Sequence, residues 1–301
     1  MPSLRDIRRR IRAVRNTAKI TKAMELVAAS RLRRAQMRVT AARPYADAMR
    51  ALMAELGGIA PSGGEALHPL LMQRDVRNVG VLLVTPDRGL AGALNTNLIR
   101  RGTEVILENE RGDGQTVQLV TVGRKGQDFL VRRGRHLLGT FTGIVDRVRY
   151  EDVIPIARVI IDSFVSGQVD RALLVYPRFI STLSQRPEVV QLLPIERPQT
   201  ENAERQQRLD YIFEPDPQSI LEQLLPRYIE VQIYQAILET AASFFSAQMV
   251  AMRNATDNAN DLVSSLSLTY NKVRQANITR EVTEIASAAE AMAASSRRRG
   301  S

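Results

Sequence analysis

Asp87-Arg-Gly-Leu-Ala-Gly92 follows an apolar run and opens a helix-like stretch, the place where an α/β fold holds phosphate on backbone N–H groups and a helix dipole. The match to a nucleotide loop is incomplete. Gly89 and Gly92 are two glycines rather than three, no Gly-Lys-Ser/Thr follows, and Val122-Gly-Arg-Lys-Gly126 is not a Walker sequence. The segment is predicted to be a tight structural turn made by Asp87, Gly89 and Gly92. His68 stands before Pro69 and His136 begins a strand beside Arg135, neither with a carboxylate or second His at ligand spacing, so no metal site is expected. Glu151 and Asp152 are adjacent and point apart on a helix, a charge pair at its N-terminus rather than an acid/base couple. The chain contains no Cys, which excludes a disulfide framework, a thiolate metal site and a thiol nucleophile. No catalytic residue and no cofactor are assigned.

Charge is the stronger signal. Of the 301 residues, 44% are hydrophobic and 25% charged, the composition of a folded chain, with a formal net charge of +10. Residues 1 to 50 hold fourteen Lys or Arg against Asp6, Glu25 and Asp47, and the remaining residues are close to neutral. A segment this basic seeks a polyanionic neighbour: nucleic acid, an anionic membrane surface or an acidic protein surface. Nucleic acid is the weaker expectation, because the cations interleave with an apolar repeat and the first aromatic residue is Tyr45. No uninterrupted apolar run reaches the length needed to cross a membrane, and no apolar segment follows Arg5 to Arg15 as a secretory signal would require.

The elements that must carry these residues divide the chain. In 1–57, Ile7, Ile11, Val14, Ala18, Thr21, Glu25, Ala28, Leu32, Ala35, Val39 and Ala42 recur at alternating spacings of four and three, a heptad seam capped by Ser3 and stopped by Gly57-Gly58. Glu25 within that seam is predicted to need a cation across the interface. Ile20, Met24, Leu26 and Val27 lie off the seam, so one partner helix cannot cover them. In 216–296 a second seam runs from Leu221 through Leu238, Phe245 and Met252 to Val273, with Gln235 and Thr256 its polar members and Pro226 predicted to kink or restart it. The two seams predict a long antiparallel coiled coil. Between them, 75–198 changes period: Val79 to Thr85, Val117 to Val122, Ala172 to Tyr176 and an edge strand Glu188 to Leu193 alternate with helical stretches, predicting a small α/β domain with a partly parallel sheet. Residues 58–74 and 199–215 are linkers and 297–301 a basic tail. A helix of about fifty residues is roughly 80 Å long, so the coil is expected to project and to seek a sheath.

The residues also resemble a family. Asp6-Ile7-Arg8 followed by Asn16-Thr-Ala-Lys-Ile-Thr-Lys-Ala-Met-Glu-Leu-Val-Ala-Ala-Ser30 is similar to the first helix of the γ subunit of F-type ATP synthases. Arg43-Pro44-Tyr45, Asp87 to Asn95, Leu225-Pro-Arg-Tyr228, Met249 to Ala259 and Tyr270 to Ile285 resemble its later motifs, in order and over essentially the whole chain. The resemblance implies a central rotor shaft inside a ring of α and β subunits, its α/β domain against the ε subunit and the membrane c ring. It implies no direct nucleotide and no nucleic acid as partners, and a peripheral membrane location on the cytoplasmic face of a bacterial inner membrane. It also implies contacts to the β subunits at Lys19, Lys22, Met24 and Gln248, and at a polar catch of Arg274, Gln275, Thr279 and Glu281. An α/β nucleotide-dependent enzyme is the reading with least support. Two departures from the family stand out. Phe244 and Gln248 replace an acidic residue and a cation, and are expected to share a flank facing the surrounding subunits; Ala91 stands where a Cys is often found, and the Cys-bearing chloroplast insertion is absent.

Overall fold

The computed structural model describes residues 3–56, 68–110, 115–195 and 217–299. The Gly57-Gly58 stop, the linker residues Ser62 to Glu65 and Pro198 to Arg208, and Gly300-Ser301 of the tail lie outside them. Two helices bracket the chain, α1 (Leu4–Leu56) and α5 (Pro217–Arg299). Between them lie β1 (Asn78–Val84), α2 (Leu94–Glu110), β2 (Thr116–Val122), α3 (Arg124–Arg132), β3 (Leu137–Phe141), α4 (Ile154–Val165), β4 (Arg171–Phe179) and β5 (Gln185–Leu193). The α/β class with two long terminal helices is thus the one predicted. The chain divides into two compact units: Met1–Leu26 with Met252–Ser301, and Val27–Ala251.

In the first unit the beginning of α1 packs on the later part of α5. Ser3 caps α1, its Oγ accepting the Asp6 N–H at 3.2 Å while its hydroxyl donates to the Asp6 carboxylate at 2.8 Å. Seam residues Ile7, Ala18 and Thr21 are buried, as are Met252, Thr256 and Ala259 opposite them. Arg8 donates to the Tyr270 hydroxyl, and Thr21 meets Thr256, so α1 ascends as α5 descends: the pairing is antiparallel. Glu25 has its cation within its own helix, Lys22 at 2.9 Å, rather than across the interface. A residue three positions away already lies within reach on a helix, so the carboxylate needs nothing from the facing chain.

In the second unit the sheet order is β3-β2-β1-β4-β5, with β1, β2, β3 and β4 parallel and β5 antiparallel on the edge. Central β1 is buried on both faces, which is why its sequence is an unbroken apolar run. Val79, Val81 and Leu83 pack with Val105 and Ile106 of α2 and Leu130 of α3. Leu82 and Val84 turn to the other side, toward Ile156, Ile160 and Phe164 of α4 and the α5 residues Leu225, Ile229 and Ile233. Three later seam residues of α1, Leu32, Ala35 and Val39, belong to that same cluster.

Three local features bear on the sequence expectation. Pro226 lies inside one continuous helix, so the helix does not restart there; the proline removes one N–H donor near the start of a long helix whose nearby residues, Leu225 and Tyr228, are held in the core. In the stretch before β1, Pro69–Leu71 forms a single 3-10 turn with Leu70 buried and His68 Nδ1 accepting the Leu70 N–H at 3.2 Å. Phe244 is not on a free flank but 2% exposed, its ring 5.3 Å from that of Phe245. The end of β4 and the hairpin after it occupy that flank: Ser243 donates to the Pro177 carbonyl at 3.1 Å and Ser246 to the Thr182 carbonyl at 2.7 Å.

Candidate functional site

The Asp87 to Gly92 turn is built as a joint. Its carboxylate oxygen Oδ1 accepts the Arg124 N–H at 3.0 Å and the Gly143 N–H at 3.1 Å, tying the β1 turn to the start of α3 and to the loop after β3. Thr85 Oγ1 accepts the Gly126 N–H at 2.8 Å, and the Pro86 carbonyl takes the Lys125 N–H. The first N–H groups of α3, which could have held a phosphate, are therefore filled by the β1 turn, with a carboxylate among them that would repel one. Leu90 and Gly92 take positive φ values of 62° and 56°, and Asn95 Nδ2 closes the turn onto the Arg88 carbonyl at 3.0 Å. Gly123 was not singled out by the sequence, yet it is the least replaceable glycine here: at φ 93°, a Cβ on it would lie 1.7 Å from the Thr85 carbonyl oxygen. A loop glycine just before a helix is the only signal that hints at it.

The residues expected to contact partners fall in different places. Lys19 and Lys22 are exposed on α1 and Met24 is half-buried. Arg274, Gln275, Thr279 and Glu281 are all exposed on α5. Helical spacing puts Gln275 and Thr279 on one stripe and Arg274 and Glu281 on another, and no ion pair joins the latter two among the described residues. Gln248 belongs to the second unit and is half-buried.

Apolar exposure on the same helices is more telling. Ile20 is 60% and Leu26 61% exposed on α1, while Ile278, Val282 and Ile285 are 50%, 60% and 69% exposed along α5. The latter three are spaced four and three apart, an apolar stripe on the part of α5 beyond Tyr270, which meets Arg8 near the start of α1.

One buried acid lies outside the sequence expectation. Glu239 accepts the Phe179 N–H at 3.1 Å and a hydrogen bond from Gln235, holding α5 to the end of β4. Burial raises its carboxyl above the usual range, more than these bonds and Arg178 lower it. Tyr150 donates to Glu230 at 2.5 Å and meets the Tyr234 ring edge-on, and desolvation followed by that carboxylate pushes its phenol up to about 12.

No group of side chains among the described residues could hold a metal ion, and no described helix is long and apolar enough to cross a membrane. The fold is of the α/β class with two long terminal helices that expose apolar side chains. The chain belongs to the ATP synthase γ chain family: the family model described as ATP synthase matches residues 3–292. It is 51% identical over 294 residues to the ATP synthase gamma chain of Roseiflexus castenholzii, covering 97% of this chain and 99% of that one. Identity to the gamma chain of Chloroflexus aurantiacus is 49% over the same length and coverage. Its fold is similar to a chain of the rotor of the Euglena gracilis mitochondrial ATP synthase, with a TM-score of 0.61 at 20% identity over 91% of this chain and 98% of that one. Nothing in these likenesses supports nucleic-acid binding by the basic helix.

Proposed function

We propose that the chain is the central-stalk rotor subunit of an F-type ATP synthase, coupling ion-driven rotation of a membrane ring to conformational cycling of catalytic β subunits. The observation that carries this reading is the exposed apolar surface on each terminal helix, Ile20, Leu26 and Val27 on α1 and Ile278, Val282 and Ile285 on α5. Such surface, on α1 beside a paired seam and on α5 beyond the start of α1, calls for an enclosing partner. A ring of α and β subunits would supply that cover, and family membership makes it the natural one.

On this reading the chain catalyses nothing and holds no cofactor. Its two terminal helices carry different side chains, so each β subunit of a surrounding ring would meet a different surface at any moment. Lys19 and Lys22 attract acidic β loops at the height of Met24, and Arg274, Gln275, Thr279 and Glu281 form a polar catch. The α/β unit sits against the ε subunit and the membrane c ring. Attachment through these partners makes the chain a peripheral membrane protein on the cytoplasmic face of a bacterial inner membrane.

Affinity purification of the tagged chain from its native source, with mass spectrometry of what accompanies it, tests the reading. Recovery of α- and β-type ATPase subunits is the expected result, and recovery of nucleic acid alone would overturn it.

A further inference from the structure

A cavity of about 460 Å³ lies in the second unit between α1, α5 and the loops that follow β1 and β3. Arg31, Arg34 and Arg38 reach it from one face of α1, at spacings of three and four. The β1 turn adds Arg88, and the loop before α4 adds Arg147 and Arg149. Asp146 is the one carboxylate lining it. Its floor is apolar, formed by Ala35, Leu238 and Phe245 among others.

The cations are of two kinds. Three are held in place: Arg88 by Asp146 at 3.0 Å, Arg149 by Asp152 at 3.1 Å, and Arg31 over the Phe245 ring at 5.7 Å. Arg34, Arg38 and Arg147 have no carboxylate within ion-pair distance among the described residues. Guanidinium groups do not titrate near neutrality, so this repulsion cannot be relieved by losing a proton. Solvent and salt screen it in part, since Arg34, Arg38, Arg88, Arg147 and Arg149 are exposed, and a multivalent anion that meets several of these cations at once gains more than a chloride.

We propose that this cavity binds a compact polyphosphate, two or more linked phosphates either free or carried by a nucleoside. Guanidinium forks pair bidentately with phosphate oxygens, and a volume of this size falls within the range of small-molecule sites. The cations converge from three segments around a hollow, where an extended acidic peptide would call for a row along a groove. Recognition is by side chains, and owes nothing to the backbone N–H groups at the start of α3, which the β1 turn fills. It does not depend on the rotor reading, because it is tested on the isolated chain.

Isothermal titration calorimetry of the full chain with inorganic pyrophosphate, ATP, orthophosphate and an Asp/Glu peptide, without divalent cations, decides the matter. Pyrophosphate is expected to bind one to one, about tenfold or more tighter than orthophosphate, as two further charge-assisted bonds imply. ATP binding as well as or better than pyrophosphate supports the same site on a nucleoside-borne ligand. The triple variant Arg34→Ser, Arg38→Ser, Arg147→Ser should weaken pyrophosphate at least about tenfold at unchanged helicity. Arg5→Ser, Arg12→Ser, Arg15→Ser, a charge-matched control on exposed α1 positions, should change it less than about twofold. Equal loss in both variants would reduce the effect to diffuse charge and overturn the proposal. Binding of the acidic peptide without pyrophosphate would also overturn it, making the cavity a protein contact.

Discussion

Thr21 of α1 and Thr256 of α5 face each other in the first unit, both buried, their hydroxyl oxygens 2.7 Å apart. Each also donates or shares a bond with its own helix, to Ala18 and Met252. They are polar members of mainly apolar stretches of seam, and they meet. A slip of the coil by one turn would part the two hydroxyls and break this bond, so the pair favours one register. We predict that Thr21→Val and Thr256→Val each lower stability by about 1 kcal/mol. The double variant should lose less than the sum, with a coupling of about 0.5 to 1 kcal/mol. A double-mutant cycle by denaturant unfolding measures this, and strict additivity would mean that the hydroxyls do not interact.

The glycines around the β1 turn should rank by geometry. Gly123→Ala meets a carbonyl oxygen at a positive φ and should cost about 3 kcal/mol or more, enough to prevent folding of the α/β unit. Gly92→Ala has open space but a φ of 56°, a strain of about 1 kcal/mol. Gly89→Ala has neither a close contact nor a positive φ and should be within about 0.5 kcal/mol of the parent. Thermal unfolding of the three variants gives the order, and a Gly89→Ala variant less stable than Gly123→Ala would contradict it.

Glu239 supplies a pH dependence whose sign follows from its raised carboxyl. In the unfolded chain it ionises at the ordinary carboxylate value, and in the folded chain at a higher one. Its contribution to stability is therefore fully present below the unfolded value and is lost as pH rises through the folded one. Glu239→Gln keeps an acceptor for the Phe179 N–H and has no charge to bury. It should be more stable than the parent at neutral pH, with the advantage shrinking as pH falls toward the ordinary carboxylate value. Chemical denaturation across that range is the measurement, and an advantage that grows on acidification would refute the assignment.

How much of this was legible follows from what kind of contact each residue makes. The seams were, because a repeat of alternating four and three states which face of a helix is buried, and Ile7, Leu32, Val39, Leu238 and Phe245 are indeed inside. Strand β1 was too, since burial on both faces demands the unbroken run from Val79 to Val84. Phe244 was not: a heptad pattern describes only the facing helix, and it is the β4–β5 hairpin that covers this ring. Gly123 and Thr85 are far apart in sequence and meet only because β1 and β2 are neighbours. The arginine cavity gathers three segments whose charges, read in line, are merely a basic helix and two scattered loops. Glu25 shows the converse, a partner sought across an interface and found three residues away.

At the proposed polar catch, Arg274 offers a planar fork for carboxylates and Gln275 two further donors, and both side chains are exposed. Arg274→Ala with Gln275→Ala should lower rotation-coupled ATPase turnover of the reconstituted ring while helicity by circular dichroism stays unchanged. Unchanged turnover in an intact complex would remove both residues from the contact surface.

Rotation itself tests the central claim most directly. The chain has no Cys, so Leu183→Cys, at the 82% exposed tip of the β4–β5 hairpin, gives a single attachment point for a bead on a complex reconstituted with α and β subunits. With ATP supplied and the ring fixed to a surface, the bead should turn in one direction and pause three times per revolution. A complex that assembles and hydrolyses ATP while the bead stays still would contradict the rotor reading.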